Sequence, residues 1–486
     1  MNYIFLFFLL CPQGHDDVSF HGSPQIPTPN LDAFAADGIL LNNYYVQPLC
    51  SPSRAALLTG LYPIHTGSLR GLPVQYTHVL GLPQSNLLAY VPATRPSPSK
   101  HPVRLWHLGY YKKEFTPPYR GFDSFFGFYN GFGDYYRHLV EFSGHIGLDL
   151  WDNDVAVRTE CGNYDTDMLT DKAIAIIASH DTTQPLFLYL SHRTAHSAPD
   201  NVMLQAPKKN IAKFPYIGER NRTIYAGMVD SMDAAFGRLV EALSDAGILN
   251  NTIIVFSSDN GAIPIINFHP NRGFNWPLRG TKYTLWEGAV RVPAFIWSPL
   301  LRITGRVSNQ MMHIVDWLPT FYSAAGGNSS DLGQQDGFDM WNALSEDAES
   351  PRKEMLLNID LIFNMSSLRS NNHKVVLGTF QNGSLDYRFE TTGNRRPVDD
   401  LDLLMKRSKA ARVLRRLYGT DDLKFPSGWR KMAAVHCGKN NIAKDNIKPA
   451  SPPYLFDLAA DPCELNNIAQ DYPEVSIGIE HRILIY

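Results

Sequence analysis

The sequence predicts an α/β fold: a mostly parallel central sheet flanked by helices, followed by a smaller C-terminal part carrying a short antiparallel sheet. Three observations point there. Strand and helix signals alternate along most of the chain, the later strand signals are short and joined by turn residues, and 486 residues exceed what one core usually supports. The expected division is residues 1–355 for the α/β domain and 356–486 for a smaller α+β domain.

The first element is an apolar run from Tyr3 to Cys11. It falls short of the roughly 20 residues a spanning helix needs, so no transmembrane helix is expected there. Within residues 1–15 it reads either as the apolar part of a secretion signal or as a buried first strand. The stretch from Gly81 to Leu105 holds Pro83, Pro92, Pro96, Pro98 and Pro102 and is expected to be irregular. Leu186 to Leu190 and Thr252 to Phe256 are short apolar runs bounded by polar or turn residues, and predict buried strands. Between them Ile224, Met228, Met232, Phe236, Val240 and Leu243 recur at helical spacing, giving a helix from Thr223 to Ala246 stopped by Gly247. His313 to Ala325 is a further helix, ended by Gly326 and Gly327. Lys374 to Gly378 and Tyr387 to Glu390 read as antiparallel strands on either side of a turn at Asn382-Gly383.

Composition excludes several classes. Hydrophobic residues at 44% and charged residues at 19% match a globular chain rather than a disordered or fibrous one. Lys and Arg total 44 against 47 Asp and Glu, so the net charge of −3 supplies no basic field for nucleic acid. The five cysteines, Cys11, Cys50, Cys161, Cys437 and Cys463, form neither a disulfide scaffold nor a CxxC metal pair, and a structural zinc is not indicated. Sequons at Asn221, Asn250, Asn328, Asn364 and Asn382 suit a glycoprotein of the secretory pathway.

Chemistry concentrates in a few segments. The first is Cys50-Ser51-Pro52-Ser53-Arg54, continuing through Gly60 to Tyr62-Pro63-Ile64-His65-Thr66-Gly67. Ser257-Ser258-Asp259-Asn260-Gly261 follows a predicted strand, where parallel sheets carry ligand sites. Its carboxylate and amide suit a hard cation, although Asp-Asn-Gly is equally strong turn chemistry. Asn275-Trp276-Pro277-Leu278-Arg279-Gly280-Thr281-Lys282 ends in a point charge able to follow a tetrahedral anion, or in a solvated surface lysine. His107 in Trp106-His107-Leu108-Gly109, and His192 and His196 after the strand ending at Leu190, are candidates for proton transfer or for structural hydrogen bonds.

Together these segments resemble the sulfatase family, particularly its arylsulfatase B-like branch. The resemblance runs from Asp17-Val18-Ser19-Phe20-His21-Gly22 to Tyr454-Leu455-Phe456-Asp457-Leu458 and Asp461-Pro462-Cys463-Glu464. It implies an alkaline-phosphatase-like domain and a sulfuric ester hydrolase acting on a small sulfate ester or on sulfated, N-acetylgalactosamine-containing glycosaminoglycans. It also implies oxidation of Cys50 to formylglycine by a formylglycine-generating enzyme, Ca2+ or alternatively Mg2+ as the metal, and a lysosomal or secreted location. By motif position the implied catalytic residues are Cys50 as the nucleophile, Arg54 holding its hydrate, Lys282 on the sulfate, His196 donating to the leaving alcohol and His107 beside the hydrate. The implied metal ligands are Cys50, Asp259 and Asn260.

Two departures stand out. Cys11 and Pro12 occupy the place of the family's Asp-Asp pair, and Asp16-Asp17 would substitute only in a remodelled loop. Arg104-Leu105 replaces the family's Gly-Lys before Trp106. A competing expectation is therefore a catalytically impaired relative that binds sulfated glycans. With Cys50 converted, Cys437 and Cys463 are the expected disulfide.

Overall fold

The computed structural model describes residues 3–68, 99–142, 144–199, 203–264, 270–396, 401–437 and 452–486. Ten strands make the main sheet: β1 (Ile4–Leu10), β2 (Ile39–Leu41), β3 (Ser99–Leu105), β4 (Phe126–Phe128), β5 (Trp151–Asp152), β6 (Val155–Ala156), β7 (Leu186–Ser191), β8 (Thr252–Ser258), β9 (Ala294–Trp297) and β10 (Arg306–Ser308). Their spatial order is β10-β2-β9-β8-β1-β7-β3-β4-β5-β6. β1 pairs parallel with both β7 and β8, and β7, β3 and β4 continue parallel, whereas β9 runs antiparallel between β8 and β2. The mostly parallel sheet expected from the alternating signals is thus present.

β1 is the middle of this sheet, and the apolar run Ile-Phe-Leu-Phe-Phe-Leu-Leu is buried along its whole length. Ile4–Leu10 thus takes the form of a buried first strand, one of the two readings of that run. Successive side chains face opposite sides of a strand. Ile4, Leu6, Phe8 and Leu10 enter the layer of α1 (Pro29–Asp37), α3 (Asp165–Ser179) and α4 (Arg220–Asp245), while Phe5, Phe7 and Leu9 enter the layer of α2 (Cys50–Thr59) and α5 (Trp317–Ala324). α4 carries the predicted 3.6-residue stripe, begins at a Glu219 cap that accepts from two backbone amides, and stops at Gly247 with φ 71°. α5 is shorter than expected because a 3-10 turn, Ile314–Asp316, precedes it.

A second sheet is antiparallel throughout: β11 (Glu354–Asp360), β12 (Met365–Ser370), β13 (His373–Leu377) and β14 (Tyr454–Asp457). Leu356, Leu368, Val375 and Leu455 pack into the α2 and α5 layer beside α7 (Pro473–Ile483). The intervening helix α6 (Lys409–Tyr418) returns instead to the α1 and α4 layer.

Two sequence expectations fail locally. Tyr387 to Glu390 is not a strand; its backbone serves another segment, the Tyr387 carbonyl accepting from Gly280 N. Of the irregular stretch expected from Gly81 to Leu105, residues 81–98 lie outside the described residues, and Ser99–Leu105 is strand β3, interior to the sheet despite Pro102.

Candidate active site

The C-terminal edge of a parallel sheet collects the loops that follow its strands. Here β1 delivers Cys11, β8 delivers Asp259 and Asn260, β7 leads to His192 and His196, and β3 leads to His107. Cys50 opens α2, where its side chain lies at the positive end of the helix. The helix ends at Gly60 (φ 68°), where a Cβ would stand 2.0 Å from Gln335 Oε1.

Cys50 is the hub. Its Sγ lies 3.4 Å from Cys11 Sγ and 3.1 Å from Asn260 Oδ1, and accepts from Lys282 Nζ at 3.2 Å. The Cys11 hydrogen bond, with Lys282 and His107 adding to it against the cost of burial, holds the Cys50 thiol well below its usual range. Burial pushes the Cys11 thiol up. Lys282 Nζ also lies 3.3 Å from His196 Nε2, and His196 Nδ1 donates to the Ser197 carbonyl at 2.9 Å, so Nε2 carries the lone pair. Burial, with the Lys282 charge beside it, lowers His196 to about 3 and keeps the ring neutral. His107 hydrogen-bonds the Cys50 sulfur, and burial lowers its pKa. His107 sits at φ 53°, and a Cβ at Gly131 would stand 2.3 Å from its Cε1, so glycine there gives the ring its space.

Arg54 is fully buried and does not reach the Cys50 sulfur with a hydrogen bond. Its Nε and Nη2 donate to Asp259 Oδ2 at 3.1 and 2.9 Å, and its Nη1 donates to the Leu105 carbonyl and Ser191 Oγ. It therefore fixes the ends of β3, β7 and β8 against α2. Burial pushes the Asp259 carboxyl up to about 7, and Asp259 Oδ1 has no hydrogen-bond partner among the described residues. His192, with neither ring nitrogen hydrogen-bonded among the described residues, packs on Phe8 and belongs to the core.

A hard divalent cation does not fit the donors present. Such ions take several oxygens, and beside Cys50, among the described residues, Asp259 and Asn260 are the motif-matched groups that supply them. Asp17 is no substitute: its carboxylate accepts from Arg222 Nη1 at 2.6 Å, Tyr225 Oη at 2.7 Å and the backbone amides of Gly14 and Phe274. Asp16 hydrogen-bonds Thr391. Leu105, where the family lysine would stand, is buried in the apolar core. The structure thus joins Cys50, Asn260, Lys282, His107 and His196, and sets Arg54 and Asp259 behind them. Sequence reasoning placed Cys11 at the position of the family's Asp pair but missed it as a direct partner of Cys50, although an apolar strand signal ending in Cys at the sheet's carboxyl edge was a usable sign. Nothing in the sequence pointed to Gly131.

A sheet of this order, with its polar cluster at the carboxyl edge and a small antiparallel sheet behind it, places the chain in the alkaline-phosphatase-like α/β class. The family model described as Sulfatase matches residues 11–327, more than half of the chain. The chain belongs to the sulfatase family. It is 43% identical over 360 residues to arylsulfatase J of Mus musculus, covering 74% of this chain and 58% of that protein. It is 32% identical over 334 residues to N-acetylgalactosamine-6-sulfatase of Homo sapiens, covering 66% of this chain and 62% of that protein. The chain thus spans about three fifths of the length of these curated relatives. A crystal structure of Ps i-CgsB superposes with a TM-score of 0.75 at 25% identity, covering 99% of this chain and 92% of the other.

Proposed function

We propose that the chain hydrolyses sulfate esters, with N-acetylgalactosamine sulfates of glycosaminoglycans as the substrate class, using Cys50 converted to formylglycine. One observation carries this reading: within a sulfatase fold, Lys282 Nζ lies 3.2 Å from Cys50 Sγ and 3.3 Å from His196 Nε2, so nucleophile position, cation and imidazole converge. The substrate class rests on the similarity to N-acetylgalactosamine-6-sulfatase. Cys50 Sγ stands where a hydrate oxygen would sit, and Lys282, His107 and Asn260 are suitable partners for hydroxyl groups there.

Hydrated formylglycine supplies two hydroxyls on one carbon, one to attack sulfur and one whose deprotonation expels sulfate. Lys282 neutralises the sulfate and stabilises the charge that grows on its oxygens. His196, neutral in the free protein, gains affinity for a proton when an anionic ester binds beside it, and passes that proton to the leaving alcohol. His107 takes the proton of the second hydroxyl as sulfate departs. Arg54 acts at one remove, holding Asp259 and the strand ends. The ligand set leads to no step through a metal.

Cys50 is 2% exposed, so a modifying enzyme has to reach it before the chain folds. The Cys437–Cys463 disulfide suits an oxidising compartment, and we place the protein in the secretory pathway, lysosomal or secreted. Among the described residues no helix is long and apolar enough to cross a membrane.

The test is mass spectrometry of the Cys50 peptide from protein made in a secretory host, with sulfate release measured on a chromogenic aryl sulfate and on N-acetylgalactosamine-6-sulfate. Conversion with release, lost in Cys50→Ala, is expected; release by chains that keep the thiol would defeat the mechanism. A second reading, a binding protein for sulfated glycans without turnover, is favoured by Cys11 and Pro12 in place of carboxylates and by the commitment of Asp17 to Arg222. Full conversion at Cys50 without release, combined with salt-sensitive glycan binding that weakens in Lys282→Met, would select it.

A further inference from the structure

The cluster that fails as a hard-cation site has the chemistry of a soft one. Cys11 Sγ, Cys50 Sγ and a nitrogen of His196 all lie within 4.8 Å of one another, and the two sulfurs are 3.4 Å apart. A tetrahedral ion with Zn–S bonds of about 2.3 Å has ligand-to-ligand edges of about 3.8 Å, so these spacings need only side-chain adjustment. His196 is also in the tautomer a metal requires. Its Nδ1–H is tied to the Ser197 carbonyl, which leaves the Nε2 lone pair facing the sulfur cluster through Lys282.

We propose that the chain in its cysteine form, with Cys50 unconverted, binds one thiophilic divalent cation, Zn2+ in the first instance, through Cys11 Sγ, Cys50 Sγ and His196 Nε2. Asn260 Oδ1, 3.1 Å from Cys50 Sγ, is the neighbouring oxygen offered as a fourth ligand. The cluster already holds a cation, since the Lys282 ammonium bridges Cys50 and His196. A divalent ion takes over that position, and the flexible lysine stem lets the ammonium withdraw. Binding releases the thiol protons, so two thiolates balance the charge of the ion. Thiolate and imidazole select zinc-like ions over Ca2+ or Mg2+. Because Cys50 is shared, the metal-bound and formylglycine forms exclude each other. The inference goes beyond the hydrolytic reading and does not depend on it, since the mass of the Cys50 peptide sorts the two forms.

The experiment uses full-length chain whose Cys50 peptide has the thiol mass, reduced and stripped with chelator, then titrated with Zn2+ against a chromophoric chelator and with Co2+ by absorption. One ion per chain and a thiolate-to-cobalt charge-transfer band are expected. Affinity should fall in Cys11→Ser and in His196→Gln by more than the roughly 10–100-fold that loss of an outer partner costs. The exposed Cys161 serves as a control, and Cys161→Ser should bind as the parent does. X-ray absorption on the zinc-loaded parent needs no variant and should show two sulfur neighbours and an imidazole. An oxygen-and-nitrogen-only shell, unchanged affinity in Cys11→Ser, or Ca2+ competing on equal terms would each overturn the proposal.

Discussion

At the scale of single residues, the side chains around the site divide into those that face it and those that hold it. Arg54 holds it: Arg54→Met leaves Asp259 buried without its partner and should cost about 3–5 kcal/mol in denaturant unfolding, with part of that recovered in Arg54→Met/Asp259→Leu. His192 is core, and burial alone lowers it to about 3. The unfolded chain binds a proton there below the ordinary value near 6.5, which the folded chain refuses until about pH 3. Stability is therefore unaffected above pH 6.5 and falls as pH drops through that window, by up to about 1.4 kcal/mol per pH unit. His192→Leu should flatten the acid limb of a stability-against-pH curve measured by urea titration; an unchanged slope would mean that the ring finds a proton acceptor. Cys50, Lys282, His107 and His196 were legible because motif spacing names them, whereas the partner of Cys50 in Cys11 was not, since contact between residues on different strands depends on sheet order.

Among the elements, β7, β8 and α4 were readable from the sequence because their apolar periods are clean and their ends carry turn or capping residues. β3 was not, because Pro102 lacks the amide a central strand normally needs. Its register explains the exception. The neighbouring Lys100 amide and carbonyl turn to Asp123, and pairing with β4 begins only at Val103, so the missing donor of Pro102 falls just before that ladder starts. Tyr387 to Glu390 misled in the other direction: its backbone and its arginine hold the lysine-bearing segment instead of pairing as a strand, the Tyr387 carbonyl accepting from Gly280 N and the Arg388 guanidinium donating to the Pro277 carbonyl. The expected Cys437–Cys463 disulfide is present across 26 residues of sequence, and chain-entropy arithmetic gives it about 3–4 kcal/mol. Cys437→Ser/Cys463→Ser should lower the denaturation midpoint accordingly, with the slope of the transition showing whether the denatured state expands.

For the molecule as a whole, the small sheet supports the site rather than standing apart from it. Lys374 on β13 is fully buried, with its ammonium 3.0 Å from Glu287 and 2.7 Å from Glu464. Arg279, three residues before Lys282, donates to the carbonyls of Glu464 and Asp386. Trp286 packs against Tyr454 and Phe456 of β14. The lysine-bearing loop is therefore clamped from the C-terminal side. Calorimetry should show both sheets melting in one transition. Lys374→Met, which removes the ammonium between two buried carboxylates and leaves Glu464 without a cation, should lower that transition as a unit and cost about 3 kcal/mol; two separated transitions in the parent would show that the sheets are independent. The α/β class was visible from alternation, but this dependence was not, because buried ion pairs between distant segments leave no periodic trace.

The position of β1 also has a consequence for how the chain is made. β1 is synthesised before both of its neighbours, which come late, β7 beginning at Leu186 and β8 at Thr252. At synthesis rates of roughly 5–20 residues per second, seven consecutive apolar residues wait roughly 12–50 s for the second of those partners. During that interval the middle of the sheet is an exposed adhesive segment that needs a chaperone or the narrow confines of an exit channel. The same interval is when the Cys50 segment, later enclosed, is still open to an enzyme working on the nascent chain.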